Sequence, residues 1–230
     1  MPWFYHRRHV VGLVPTSILV LLAIAPDGCA SKRGHPSLSA TDSTRVVTEI
    51  LAHRAEADSF FRFDEASPFR VDTAIRYDGI KWYPPNVNFS FSSRLHTYPK
   101  AETVVVLGTK GEERKHVRYG YFLLDVEGKE VRLNVYKFIP SDAGQYSRYK
   151  DLFNVWFTDR TTGKETYGVG RYLDVGPESP DPEFLYTVDF NNAYSPYCAY
   201  STLYSCAVPR REDHLDVEIR AGEMTYKEHH

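Results

Sequence analysis

The chain has 230 residues, of which 42% are hydrophobic and 25% charged, and its formal net charge is −2. This length is enough to bury a full hydrophobic core, and the composition excludes an intrinsically disordered protein. Because no run of basic residues stands out, we expect no nucleic-acid partner.

The N-terminus has the layout of a secretory signal. Arg7 and Arg8 form a positive region, and an apolar stretch follows over residues 10–25. The stretch is interrupted by Pro15 and is shorter than a membrane-spanning helix requires. We therefore expect the rest of the chain to be exported.

Cys29 lies where a lipid anchor would be attached. Residues 28–31 resemble a bacterial lipoprotein cleavage site, in which the cysteine becomes the lipid-bearing first residue. We predict a signal over residues 1–29, a flexible tether over residues 30–44 and lipid attachment to the membrane on the periplasmic or outer surface of the envelope. A cleaved soluble form and an uncleaved anchor are the alternatives.

A long helix is predicted over residues 43–62. His53 and Arg54 fall between its apolar rows and are expected to be solvated. The apolar residues recur at intervals of three and four: Val46, Val47, Ile50, Leu51, Ala57, Phe60 and Phe61. A helix ahead of many strands indicates a lid or brace packed on a sheet.

Beyond residue 72 the apolar period becomes two. Val131, Leu133 and Val135 alternate with polar residues, and residues 121–126 precede them across Glu127-Gly128, a linker typical of a hairpin. The 17 tyrosines and 13 phenylalanines also favour strands.

Three further segments complete the predicted architecture. Dense apolar runs at residues 104–107 and 152–157 indicate central strands, residues 215–219 alternate as a last strand, and residues 141–150 form a long loop. The sequence thus predicts a single mainly β (α+β) domain over residues 45–226. It is an antiparallel barrel or sandwich of about eight to ten strands with one N-terminal helix.

Residues 157–174 combine turn glycines with charged and aromatic residues. We expect a strand, a glycine turn and a second strand in which Gly168 and Gly170 leave one face open to another backbone or a ligand. Tyr167 and Arg171 project from the opposite face. The two glycines do not form a dinucleotide fingerprint, because a third glycine and a following helix are missing.

Residues 188–206 concentrate tyrosines, amides and two cysteines. Pro196 is expected to begin a short helical turn that presents tyrosines toward a pocket. In an oxidising compartment Cys198 and Cys206 are candidates for a disulfide, and two buried thiols that never meet are the alternative.

Four motifs carry a resemblance to a known family. They are T-G-K-E-T-Y-G-V-G-R-Y-L-D, V-D-F-N-N-A-Y-S-P-Y-C-A-Y, C-A-V-P and A-G-E. The chain resembles the bacterial and archaeal domain of unknown function 1684 family over about residues 47–224. It departs from the family pattern at Asp213, where an asparagine is expected. The resemblance implies a domain boundary and a motif set, but no activity.

Arg171 and Asp189 admit two interpretations. They form either a partly buried ion pair that joins two strands, or part of a pocket in which the guanidinium grips an anionic group. The candidate binding residues are Tyr167, Arg171, Asp189, Asn191, Tyr194, Tyr197 and Tyr200.

Two catalytic arrangements are conceivable. Cys198 could act as a nucleophile with His214 and Asp189, or Asp189 and Glu223 could form an acid/base pair. No P-loop, serine elbow or zinc spacing is present, so we expect no cofactor and no metal. The leading hypothesis is an envelope-tethered module that binds a small molecule, glycan or peptide. The alternatives are a cofactor-free hydrolase using Asp189, Arg171 and Cys198, and a scaffold for other envelope proteins.

Overall fold

A computed structural model describes residues 40–140 and 142–226. The predicted signal, Cys29 and most of the predicted tether lie outside the described residues. Within them the fold is mainly β, with eight strands in largely antiparallel sheets and one long N-terminal helix, as predicted. A sandwich-like arrangement fits the three sheets, and no closed barrel forms in this part of the chain.

The N-terminal helix α1 (Ala40–Phe63) packs one face on the domain. It starts within the predicted tether, so residues 40–44 are helical. Ile50, Ala57 and Phe61 are buried, but so is Arg54, which we expected to be solvated. Arg54 lies four residues after Ile50 on the same helical face, and its guanidinium donates to the Tyr83 carbonyl at 2.8 Å.

The largest sheet has the order β2-β3-β4 and is antiparallel. Its strands are β2 (His96–Leu107), β3 (Glu113–Val126) and β4 (Lys129–Phe138). The predicted hairpin is confirmed, because β3 and β4 pair across Glu127 and Gly128, with φ of 53° and 83°. The sequence analysis predicted a central strand at residues 104–107, and this was wrong. These residues belong to the edge strand β2, where burial alternates.

Two smaller sheets complete the architecture. One pairs β1 (Ser90–Arg94) with β7 (Leu185–Asp189), and the other has the order β6-β5-β8. The latter consists of β6 (Arg171–Tyr172), β5 (Trp156–Asp159) and β8 (His214–Leu215), with β5 and β8 parallel. The main core lies where β1, β3, β4, β5 and β7 bring their buried side chains together.

Three sequence predictions about local structure were wrong. Residues 168–170 are not a strand, and the last predicted strand is reduced to β8, although Leu215, Val217 and Ile219 are all buried. The predicted loop over 141–150 contains the helix α3 (Ala143–Tyr149), which Asp142 caps through the Gln145 backbone N–H. Another short α-helix, α2 (Pro68–Val71), lies between α1 and β1.

Candidate functional site

Arg171 is a buried structural residue, with 1% of its surface exposed. Its guanidinium donates to the backbone carbonyls of Ile219 at 2.8 Å and Glu223 at 3.3 Å, and also to that of Ala221. It therefore holds residues 219–223, the C-terminal segment of the domain, against β6.

The ion-pair partner of Arg171 is Asp159, not Asp189 as one interpretation of the sequence proposed. The Arg171 Nη2 lies 3.4 Å from the Asp159 Oδ2, and both side chains are fully buried. Phe157 pairs with Arg171 across β5 and β6, and Asp159, two residues on, points to the same face of the sheet. Arg171 and Asp159 thus join β5 to β6, and the predicted pair of Arg171 with Asp189 does not form.

Asp189 and Asn191 organise a turn. The Asp189 Oδ1 accepts from the Asn191 backbone N–H at 3.0 Å and from its side-chain amide at 2.8 Å. Asn191 also bonds both backbone groups of Asn86, at 2.8 Å each. Neither residue lines the cavity described below.

Asp213 receives a dense set of hydrogen bonds that sequence reasoning missed. Its carboxylate accepts from the Tyr136 hydroxyl at 2.7 Å, the Asn134 amide at 2.8 Å, the Trp156 indole at 3.1 Å and the Arg210 backbone N–H at 2.8 Å. All four partners are donors, so the acceptor-only carboxylate of Asp213 satisfies them.

A cavity of about 130 Å³ lies beneath α1. Its walls come from three parts of the chain: α1, the segment around Trp82, and the segments from Tyr172 to Glu223. The lining residues that carry an aromatic ring are Phe61, Trp82, Tyr172, Tyr194, Tyr197 and Tyr204. His53, Ala57, Pro196, Ser205, Cys206 and Glu223 complete the lining.

The rings are held by each other and by their hydroxyls. Tyr172 and Tyr194 pack edge to face at 6.0 Å, and Tyr197 and Tyr204 do so at 5.2 Å. The Tyr172 hydroxyl donates to the Ala207 carbonyl at 2.6 Å, and burial raises the pKa of Tyr172 and of Tyr194 well above the usual value. These rings remain neutral and present carbon surface to the cavity.

Glu223 is the one carboxyl group on the cavity wall. It is 1% exposed, and its Oε2 accepts from the Tyr200 hydroxyl at 2.6 Å and the Ser195 backbone N–H at 2.8 Å. The other carboxyl oxygen, Oε1, takes part in neither of these two hydrogen bonds. Burial raises the pKa of Glu223 to about 7, an effect that these hydrogen bonds and Arg171 oppose.

Cys198 and Cys206 are neighbours with free thiols. The Cys206 Sγ lies 3.3 Å from the Cys198 backbone nitrogen, and the Tyr167 hydroxyl lies 3.7 Å from the Cys198 Sγ. A hydrogen bond from the Cys206 thiol lowers the pKa of Cys198 to about 7. The two thiols are adjacent but unbridged here, and the disulfide in an oxidising compartment remains a prediction.

A wider cleft of about 700 Å³ adjoins the cavity, since Tyr172, Ser205 and Cys206 line both. Phe138, Tyr149 and Trp156 contribute further rings to the cleft. Two charged residues of β3 line the cleft, Arg114 and Lys115, and Arg114 already bonds Glu112 and the Ser205 carbonyl.

Of the seven predicted binding residues, two line the cavity: Tyr194 and Tyr197. Tyr200 does not line the cavity but donates to Glu223, and Tyr167 does not line it but contacts Cys198. Pro196 precedes the predicted helical turn, which is a 3-10 turn over Tyr197–Ala199. Trp82 and Tyr204 also line the cavity but were not among the predicted binding residues. The signal in the sequence that could have indicated them was the density of aromatic residues around each.

The structure does not assemble the proposed catalytic groups. His214 faces the Thr158 hydroxyl at 3.0 Å, Asp189 is engaged with Asn191, and Cys198 contacts Tyr167. Among the described residues, no group of three or more histidine, cysteine, aspartate or glutamate residues could hold a metal ion. No helix in residues 40–140 or 142–226 is long and apolar enough to cross a membrane.

Comparisons with known proteins identify similar uncharacterised proteins. The model of a family described as "Protein of unknown function (DUF1684)" matches residues 75–224, a range that starts after α1. The solution NMR structure of an uncharacterized protein from gene locus rrnAC0354 of Haloarcula marismortui is 28% identical, with a TM-score of 0.59. The alignment covers 82% of this chain and 99% of that one. No curated protein matches.

Proposed function

The chain belongs to the DUF1684 family of proteins of unknown function, and we propose that it is an exported, envelope-tethered protein that binds a small molecule in the cavity beneath α1. The observation that carries the proposal is the convergence of six aromatic rings and one buried carboxyl on a single cavity. Small-molecule sites are typically apolar and aromatic, with a few placed polar groups.

The cavity volume sets the size of the bound group. A cavity of about 150 Å³ in another protein takes one benzene molecule. At about 130 Å³ this cavity therefore accommodates a group of similar size, and no peptide or glycan chain. The adjoining cleft of about 700 Å³ falls in the range of drug-sized sites and offers room for the remainder of a larger ligand.

Ala57→Leu tests the proposal, because Ala57 lines the cavity from α1 and is 3% exposed. The larger side chain fills the space, at a stability cost of about 1–3 kcal/mol. Ala55→Leu, at an exposed position of the same helix, is the matched control. A library of small fragments is screened by ligand-observed NMR at a temperature where circular dichroism shows both variants folded.

We expect fragments that bind the wild type and Ala55→Leu and bind Ala57→Leu at least about tenfold more weakly. If no fragment binds the wild type, or if the binders are indifferent to Ala57→Leu, the cavity is not a binding site and the proposal is wrong.

A further inference from the structure

The cavity combines a set of rings with a single carboxyl group. Its lining contains Glu223 and neither lysine nor arginine. Aromatic faces attract cations through their quadrupole, and Trp82 already does so in this protein, because the Arg54 guanidinium lies 4.9 Å from its ring centroid. The wall is thus suited to positive charge.

The positively charged side chains near Glu223 are bonded to other groups, which leaves its carboxylate to pair with a ligand cation. Arg171, on β6, favours the ionised form of Glu223, but its guanidinium is paired with Asp159 at 3.4 Å. Arg54, on α1, donates to the Tyr83 carbonyl at 2.8 Å. Both hydrogen bonds, from the Tyr200 hydroxyl and the Ser195 backbone N–H, reach the Glu223 Oε2, and neither involves Oε1.

The kind of cation follows from the number of acceptors. A primary ammonium group has three N–H donors and needs an acceptor for each when it loses water. The wall offers one carboxylate, and three of its hydroxyls are engaged elsewhere: Tyr172 with the Ala207 carbonyl, Tyr194 with Asp174 and Ser205 with Glu112. A methylated ammonium carries its charge without these donors and fits an aromatic cage.

We propose that the cavity binds small methylated ammonium cations, with the six rings as the cage and Glu223 as the anionic partner. This inference rests on the proposed function and specifies its ligand class. A trimethylammonium group is close in size to the ring that a cavity of about 150 Å³ accepts.

Calorimetric titration of the wild type with choline and with 3,3-dimethylbutan-1-ol tests the charge requirement, because the alcohol has the same shape without the charge. We expect choline to bind at least about tenfold more tightly at pH 8. We also expect Glu223→Gln to remove this preference, since glutamine keeps the oxygen that Tyr200 and Ser195 bond. Glu165→Gln is the control: that carboxylate bonds Tyr83 and Arg220 away from the cavity.

The pH dependence gives a second readout that needs no variant. Because the pKa of Glu223 is about 7, choline affinity should fall about tenfold between pH 8 and pH 6 as the carboxyl is protonated. His53, from α1, and Cys198, which adjoins the wall residue Cys206 and has a pKa lowered to about 7, are the other nearby groups able to change charge. The dependence should persist in His53→Gln and Cys198→Ser and vanish in Glu223→Gln.

Two results would show that the cavity does not select methylated ammonium cations. Equal affinities for choline and the alcohol, both lost in Ala57→Leu, would leave a neutral binding cavity, so the proposed function would stand without its cation. No choline binding at pH 8, alongside neutral fragments that do bind, would have the same meaning. If Glu223→Gln does not fold, the choline–alcohol comparison and the pH profile still test the proposal, because both are measured on the wild type.

Discussion

At the level of single residues, three buried charged residues have a structural role. Arg171, Asp159 and Asp213 are all buried, and each forms hydrogen bonds to other segments of the chain. One interpretation of the sequence paired Arg171, because a charged residue among apolar neighbours needs a partner, but it named Asp189 as that partner. It could not identify Asp159, because the pairing of β5 with β6 depends on contacts between segments that have no distinctive period.

Replacing Arg171 with methionine should lower the free energy of unfolding by about 3–5 kcal/mol, because Asp159 is left buried without its cation and three carbonyls lose their donor. Chemical denaturation monitored by circular dichroism measures the change.

Arg160→Met is the matched control for this substitution. Arg160 pairs with Asp216 on the surface, where both side chains are more than half exposed, and should contribute at most about 1 kcal/mol. Similar losses for the two variants would show that the buried network is not the stronger one.

At the level of elements, the sequence predicted the segments whose pattern is local. The apolar spacing of α1 and the Glu127-Gly128 linker between β3 and β4 both indicate their structure without distant contacts. The helix α3 escaped prediction because none of its residues is buried, so it has no apolar face to detect. The strands β6 and β8 have two residues each and depend on β5.

Glu127→Asn should raise the free energy of unfolding by about 0.5–1 kcal/mol. Glu127 has a φ of 53°, a region that asparagine adopts more readily than glutamate and that favours Asn-Gly in this turn. Thermal and urea denaturation measure the gain. Glu113→Asn removes the same charge from an exposed strand position, so an equal gain there would assign the effect to charge instead.

At the level of the whole molecule, the cavity is built from residues far apart in the chain, from His53 to Glu223. Sequence reasoning found the part contributed by the contiguous segment 188–206, namely Tyr194 and Tyr197. It could not find Trp82 or the contribution of α1, because no local pattern indicates which distant segments close over a tyrosine. The export of this domain remains a prediction from residues 1–29.

Cys29→Ser tests the predicted lipid anchor. Since the cysteine thiol is the attachment point of the lipid, we expect the wild type in the membrane fraction and the variant in another fraction or unprocessed. Membrane fractionation and mass spectrometry of the N-terminal peptide measure both. A variant that stays in the membrane with an uncleaved N-terminus, like the wild type, would identify an uncleaved anchor instead.

The position of α1 links anchoring to the candidate site. The helix forms the roof of the cavity through His53, Ala57 and Phe61, and Ala40, where it begins, is eleven residues from Cys29. An extended chain spans at most about 3.6 Å per residue, so a lipid on Cys29 would keep the start of α1 within about 40 Å of the bilayer. Molecules released from the membrane surface would then meet the cavity at a much higher local concentration than they have in the bulk solution.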